Sequence, residues 1–394
     1  MGTGYATVPD LLPTLPPVIQ ALPKLSKIGA VKPPKKKDRL QPRGVFISDI
    51  HFGSPVELAS NLAAFLGNIR KPKFLILAGD IFDFWSFGKK LLFERPVFSQ
   101  AEFLVLQQIS LFDLKGTQVV YIPGNHDSIF RTFAHYMAGR APKIYGRNLR
   151  ILREAVYETA DHRRFLVLHG DEFDPVVTKR QKLSQAAAKI FDWMIYAGAR
   201  WDMLQRSNAT VAATSSYLRL PTAGQTLKGI KARFDRATRT QEYQRKQIER
   251  LFAYNAAVFA HRLTLPANTP APPYLDGIIG GHTHCVGLWS AVSPTDTETG
   301  LRMGPQKVFV YDLGHWTGPY EDGQSPPSCT ALIEHMHGGL ELMRWSASST
   351  IVPVNAVEQP LDALLSPATS GNSFVSLRQR VAKSVTRLLR LSPA

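Results

Sequence analysis

Five short apolar runs in this chain each end on a block of Asp, Asn or His, and this repeated arrangement limits the possible folds more than any other feature. Gly44-Val45-Phe46-Ile47-Ser48 leads into Asp49-Ile50-His51, and Phe74-Leu75-Ile76-Leu77-Ala78 leads into Gly79-Asp80. Val119-Val120-Tyr121-Ile122 ends at Pro123-Gly124-Asn125-His126-Asp127. Phe165-Leu166-Val167-Leu168 ends on His169, and Gly277-Ile278-Ile279 is followed by His282-Thr283-His284. Nearly continuous apolar runs of this length read as strands buried on both faces. Helical spacing around 56–69 and 100–112 places helices between the first three, which predicts a βαβ arrangement with parallel strands. Open α/β sheets bind ligands beyond the carboxyl ends of their strands, where all five blocks fall. Further strands are expected at Lys307–Tyr311 and Thr330–Glu334, the latter turning at Gly338-Gly339.

The residue types in the blocks point to metal chemistry. Only two cysteines occur, Cys285 and Cys329, so neither a disulfide framework nor a four-cysteine zinc site is available. A mixture of imidazole, carboxylate and amide suits manganese, iron or zinc, whereas an all-oxygen set would suit magnesium or calcium. Two such ions about 3.5–4 Å apart need a bridging carboxylate. An Asp-x-His or His-x-His pair can converge on an ion where the backbone bends out of a sheet. The competing reading makes Asp49, Asp80 and Asn125 turn residues and the histidines polar caps, but five blocks in order favour the metal site. His135, His162, His261 and the pair His335-Met336-His337 lie outside the blocks and are read as structural.

In this order, the five blocks resemble the calcineurin-like metallophosphoesterase superfamily over roughly residues 44–175 and 275–318. The resemblance implies a four-layer α/β/β/α sandwich holding two divalent metal ions, manganese foremost, with iron or zinc as alternatives. It implies one ion held by Asp49, His51, Asp80 and His284, and another by Asp80, Asn125, His169 and His282, with Asp80 bridging. Water activated between the ions would attack phosphorus. His126 would stabilise the phosphoryl oxygen or protonate the leaving group, with Asp127 orienting it.

Within the superfamily, Gly79–Trp85, His169–Asp174 and Tyr311–Trp316 are most similar to the UDP-2,3-diacylglucosamine diphosphatase group. That group cleaves a lipid-linked sugar nucleotide pyrophosphate in lipid A synthesis, at the cytoplasmic face of the inner membrane. It inserts a helical cap between its fourth and fifth metal blocks. The chain departs from it in carrying His126 for arginine, Gly314-His315-Trp316 for Gly-Asp-Trp, and Cys285-Val286 after His284. Hydrolysis remains the expectation, and the substrate widens to related lipid-linked phosphates. The alternative enzyme is a metal-dependent DNA exonuclease or phosphodiesterase, whose blocks are similar and whose substrate would suit a net charge of +16. The aromatic run Phe82–Trp85 favours the diphosphatase. A non-enzymatic scaffold would be expected to have lost ligands, and none is missing.

Charge divides the chain further. Residues 1–44 hold 8 Lys/Arg against 2 acids, residues 176–270 hold 16 against 5, and residues 371–394 hold 5 against none. The remaining body is net acidic. Residues 1–43 are expected to be a disordered basic, proline-rich arm rather than a secretion signal, since prolines interrupt them. The body is expected at 44–175 and 271–350, with a helical cap at 176–270 and a linker with a basic tail at 351–394. In the tail, Phe374, Leu377, Val381, Val385, Leu388 and Leu389 recur at steps of three and four, as in an amphipathic helix. The expected partners are an anionic amphiphilic phosphate and, through the cap and tail, the anionic inner face of a membrane, with nucleic acid as the alternative. A cytoplasmic, peripheral location follows from that reading.

Overall fold

A computed structural model describes residues 39–54, 57–84, 98–131, 149–174, 241–265, 271–296, 298–318, 329–346 and 348–360. The first sheet contains β1 (Gly44–Ile47), β2 (Phe74–Ala78), β3 (Gln118–Ile122) and β4 (Leu149–Ile151) as parallel neighbours. It continues from β1 through antiparallel β10 (Thr330–Glu334), β11 (Leu340–Trp345) and β12 (Ile351–Pro353). The second sheet is ordered β13 (Gln359–Pro360), β8 (Val286–Val292), β9 (Lys307–Leu313), β7 (Gly277–Gly280), β6 (Arg164–Val167) and β5 (Ala155–Glu158). In it, β6, β7 and β9 are parallel, β5 runs antiparallel to β6 and β8 antiparallel to β9, and β13 pairs parallel with β8.

The strands run through the middle of the molecule because both of their faces are apolar. On β1, Val45 and Ile47 face one way and Phe46 the other, as the two-residue period of a strand requires. Val45, Ile47, Leu75, Leu77 and Val119 pack against α1 (Ala59–Gly67) and α2 (Gln100–Leu114) through Leu62, Phe65, Val105 and Phe112. Phe46, Ile76 and Ile122 turn inward to meet Phe165, Val167, Ile279, Tyr311 and Leu313 of the second sheet. On that sheet's outer face, Leu166, Ile278, Val308 and Val310 pack against Tyr243, Ile248, Leu251 and Phe252 of α3 (Gln241–Thr264). The result is the expected α/β/β/α sandwich.

Two expected boundaries move. Residues 241–264, assigned from sequence to the cap, instead form the outer helical layer of the second sheet. Strands β12 and β13 lie in the stretch read as linker and carry the chain from the edge of one sheet to the edge of the other. Residues 176–240 and 266–270 of the expected cap, 1–38 of the arm, 361–394 of the linker and tail, and His135 lie outside the described residues.

The α2 cap supports the loop after β1. Ser99 and Glu102 form a reciprocal capping box, and the second Glu102 oxygen, Oε1, accepts from the Gly53 amide at 2.5 Å. Beside the amino end of β1, buried Glu334 at the close of β10 ties the two sheets together. It accepts from Arg43 at 2.6 and 2.7 Å, from the Ala160 amide at 2.8 Å, and from the Tyr157 hydroxyl. No helix among the described residues is long and apolar enough to cross a membrane.

Candidate metal centre

The carboxyl ends of β1, β2 and β3 in one sheet and of β6 and β7 in the other deliver their polar blocks to one place. The backbone bends sharply as it leaves the strands. Asp49, His51, Asp80, His282 and His284 all have positive φ, between 51° and 73°, a region that non-glycine residues seldom occupy. Each such residue costs on the order of 1–3 kcal/mol, and strain of this kind gathers at functional sites. Asp49 N donates to Gly79 O and His51 N to Asp80 O, so the β1 and β2 loops brace each other through the bend.

Three overlapping groups of donors result. Asp49, His51 and His284 converge in the first, Asp80, His169 and His282 in the second, and Asp83 and His126 form a third with His51. In the first, His284 Nε2 stands 3.2 Å from Asp49 Oδ1, and His51 Nε2 stands 3.3 Å from His284 Nε2. In the second, His169 Nε2 lies 3.2 Å from Asp80 Oδ2 and 3.3 Å from Asn125 Oδ1. Asp80 Oδ2 is also 3.8 Å from His51 Nε2, so one carboxylate reaches both groups. All seven residues expected as ligands are brought together.

This donor set fits a pair of cations. Asp49 Oδ1 is buried and accepts no hydrogen bond, yet two imidazole nitrogens face it. His169 Nδ1 lies 3.1 Å from Ala78 O, which takes its N–H and leaves Nε2 turned toward Asp80 and Asn125. Burial acts to raise the Asp80 carboxyl, but His169, His126 and His51 outweigh it and hold it well below the ordinary value. Burial likewise acts to lower His169, and Asp80 overrides it and drives the ring well above its usual range. A field that favours positive charge against His169 also favours a divalent cation there. Glycines make room for the cluster. A Cβ on Gly124 would collide with Asp80 Oδ1, and one on Gly281 would collide with Asp49 Oδ2.

The two residues expected to be catalytic separate. His126 sits beside the first group, its ring 4.5 Å from that of His51, and its Nδ1 is 3.0 Å from Asp83 Oδ1. The expectation that Asp127 orients His126 is corrected, because the Asp127 carboxylate is engaged elsewhere. It accepts from Tyr121 OH at 2.5 Å, Ile81 N at 2.8 Å, Phe82 N at 3.3 Å and Gly124 N at 2.5 Å. Asp127 therefore holds the β2 and β3 loops together. Neighbouring turn residues direct their side chains apart, which adjacency in sequence does not reveal.

Sequence reasoning missed several supporting residues. Asp83 and Asp174 lie inside the blocks Gly79–Trp85 and His169–Asp174, where an acid trailing a ligand was the available signal. Asp174 Oδ2 is 3.0 Å from His282 Nε2. Asp312 accepts from Thr283 Oγ1 at 2.5 Å and so pins the His282-Thr283-His284 turn. Tyr243, reaching in from α3 with its ring 6.0 Å from His282, carried no sequence signal at all. His335 pairs with Glu341 at 2.7 Å.

Comparison with known proteins agrees with this geometry. A family model described as calcineurin-like phosphoesterase matches residues 43–286. The DNA polymerase II small subunit of Archaeoglobus fulgidus is 24% identical over an alignment of 159 residues that covers 36% of this chain. The match spans only 32% of that protein's length. A crystal structure of a single-mutant Vps29 from Entamoeba histolytica aligns over 79% of this chain and 99% of its own, at 11% identity. Its TM-score of 0.29 is below the level that implies a shared fold.

Proposed function

The chain belongs to the calcineurin-like phosphoesterase family and is a metal-dependent phosphoesterase, and on that premise we propose that it cleaves the pyrophosphate of UDP-2,3-diacylglucosamine or a related lipid-linked phosphate. The observation that carries the substrate reading is an apolar wall beside the donor cluster. Phe84 follows Asp83 and is 38% exposed, and Ile129 lies three residues after His126 and is 66% exposed. Behind them Phe84 meets Phe130 at 5.5 Å, Phe82 meets Phe130 at 6.0 Å, and Phe130 meets Tyr121 at 5.5 Å. A site that places an apolar surface next to phosphate-binding groups suits an amphiphile, with the headgroup at the cluster and the chain along the wall.

In this reading Asp49, His51, Asp80 and His284 would hold one ion, and Asp80, Asn125, His169 and His282 the other. Manganese is the first choice and iron or zinc the next. When bound, the ions supply the Lewis acidity that activates water and neutralises the phosphoryl oxygens. Asp80 lies between the two groups and sets their separation. His126, steadied through Nδ1 by Asp83, presents its other nitrogen as a hydrogen-bond or proton donor to the phosphoryl or leaving oxygen. Asp127 keeps the loops bearing Asp80 and Asn125 in register.

The membrane surface is the proposed meeting place of enzyme and substrate. Its support is the tail 371–394, with 5 basic residues, no acids and helical apolar spacing. Deleting 371–394 should release the protein from phosphatidylglycerol vesicles and leave hydrolysis of a small chromogenic diester unchanged. Vesicle binding that survives the deletion would refute the tail's part.

The second reading is a DNA phosphodiesterase, favoured by the net charge and by the likeness to the archaeal polymerase subunit over a third of the chain. Against it, the three ring contacts of Phe130 are inclined at 54–68° and that of Phe82 with Phe84 at 34°, so edges and faces pack on one another rather than leaving the open flat faces on which bases stack. A manganese-supplemented assay offering UDP-diacylglucosamine beside single-stranded and duplex DNA separates the two. Release of UMP supports the lipid substrate, and nucleotide release from DNA without UMP overturns it.

A further inference from the structure

We infer that His315 is a positioning residue for the metal centre, holding His284 in its ligating orientation by stacking on its ring. The inference rests on the two-ion reading above. The rings of His284 and His315 lie 5.1 Å apart at an interplanar angle of 18°, the parallel arrangement of a stacked pair. His315 is 7% exposed, so this contact is made inside the protein.

Its own orientation is held. Thr317 N donates to His315 Nδ1 at 3.3 Å, and Thr317 Oγ1 lies 3.1 Å from the same nitrogen. Both contacts fall on the one nitrogen, so Thr317 fixes the plane of the ring. The main chain around it is anchored to the β1 end. Ser48 Oγ donates to Gly314 O at 3.2 Å, Trp316 N donates to Asp49 O at 3.0 Å, and Cys329 N donates to His315 O at 2.7 Å.

His284 needs such a support. It stands in a positive-φ turn at the end of the second sheet, while its partners Asp49 and His51 come from the first. Stacking on His315 references His284 to the same stretch of backbone that carries Asp49. The donor group is thereby set across the gap between sheets, and the support is specific to one of the two ions.

The test is calorimetric titration of the metal-free, full-length protein with manganese, with thermal unfolding as the check on folding. Wild type should bind two ions. His315→Ala should weaken one of them by about 10–100-fold, the usual effect of removing a residue that orients a metal ligand. The other should stay within about twofold. His315→Phe keeps a flat ring without nitrogens and should restore the weakened ion to within about threefold of wild type. Unchanged binding of both ions by His315→Ala overturns the inference. Equal losses in His315→Ala and His315→Phe, with wild-type melting, also overturn it, because stacking would then not be the cause. Wild-type uptake of fewer than two ions would refute the two-ion reading itself, and this inference with it. If His315→Ala melts early, His315→Leu, which fills the space without a flat ring, takes its place in the same comparison.

Discussion

Replacing Asp83 with alanine removes the carboxylate that faces His126 Nδ1 at 3.0 Å. A hydrogen bond to a charged group contributes about 1.5–3 kcal/mol. At about 1.36 kcal/mol per tenfold, full expression of that bond in the transition state corresponds to a loss of about 10- to 160-fold in kcat. Asp83→Asn keeps an oxygen that can accept from Nδ1 and should lose less. Asp127→Ala is the control with the opposite signature. It deprives the amides of Ile81, Phe82 and Gly124 and the Tyr121 hydroxyl of a shared buried acceptor. Stranding buried donors costs about 1–3 kcal/mol each, and relaxation of the loops brings the expected loss of stability to about 3–5 kcal/mol. Turnover of a chromogenic phosphodiester at saturating manganese reads the first effect, and urea denaturation at matched m-values reads the second. Wild-type kcat in Asp83→Ala would refute the assignment of Asp83. An Asp127→Ala protein of wild-type stability that loses as much turnover as Asp83→Ala would reinstate Asp127 as the partner of His126.

Three other perturbations have defined outcomes. Glu334→Gln should destabilise the protein by about 3–5 kcal/mol in urea, because it uncouples half-buried Arg43 and buried Tyr157 from their shared, fully buried carboxylate; a loss under about 1 kcal/mol would remove Glu334 as a tie between the sheets. Gly124→Ala should leave the purified protein folded but depleted of metal on elemental analysis, since its Cβ meets Asp80 Oδ1; a full complement of metal would show that the loop gives way. Burial acts to raise the Asp171 carboxyl, but the Arg131 guanidinium, bonded to it at 2.9 and 2.5 Å, outweighs burial and holds it below its ordinary value. The pair therefore contributes stability above the unfolded carboxyl range near about pH 4 and loses it as pH falls through the lower folded-state value. Arg131→Met should be less stable than wild type at pH 7, with the gap closing in acid; a gap independent of pH would contradict the pairing.

The strands that could be read from sequence are those buried on both faces. β1, β2, β3, β6, β7, β9 and β10 carry unbroken apolar runs, and their burial confirms why. β8, with Gly287 and Ser290 among its seven residues, and the short half-exposed β5, β12 and β13 lacked that signal. Helix α3 misled for a different reason. Its sequence is rich in charge, and the apolar side formed by Tyr243, Ile248, Leu251 and Phe252 is recognisable only beside the sheet it covers.

The candidate ligands were legible because each block depends on local chemistry: a strand that stops and one to three donors within the few residues that follow it. Sequence by itself therefore determined what each strand end carries and in which order. Tertiary structure decided which of those side chains meet. It made Asp83, 43 positions away, the partner of His126 in place of adjacent Asp127, and it laid His315 against His284. The reason is physical. What a residue can donate or accept is set by its own atoms, whereas the distances between loops of different sheets follow from how Phe46, Ile76 and Ile122 pack against Phe165, Val167 and Ile279.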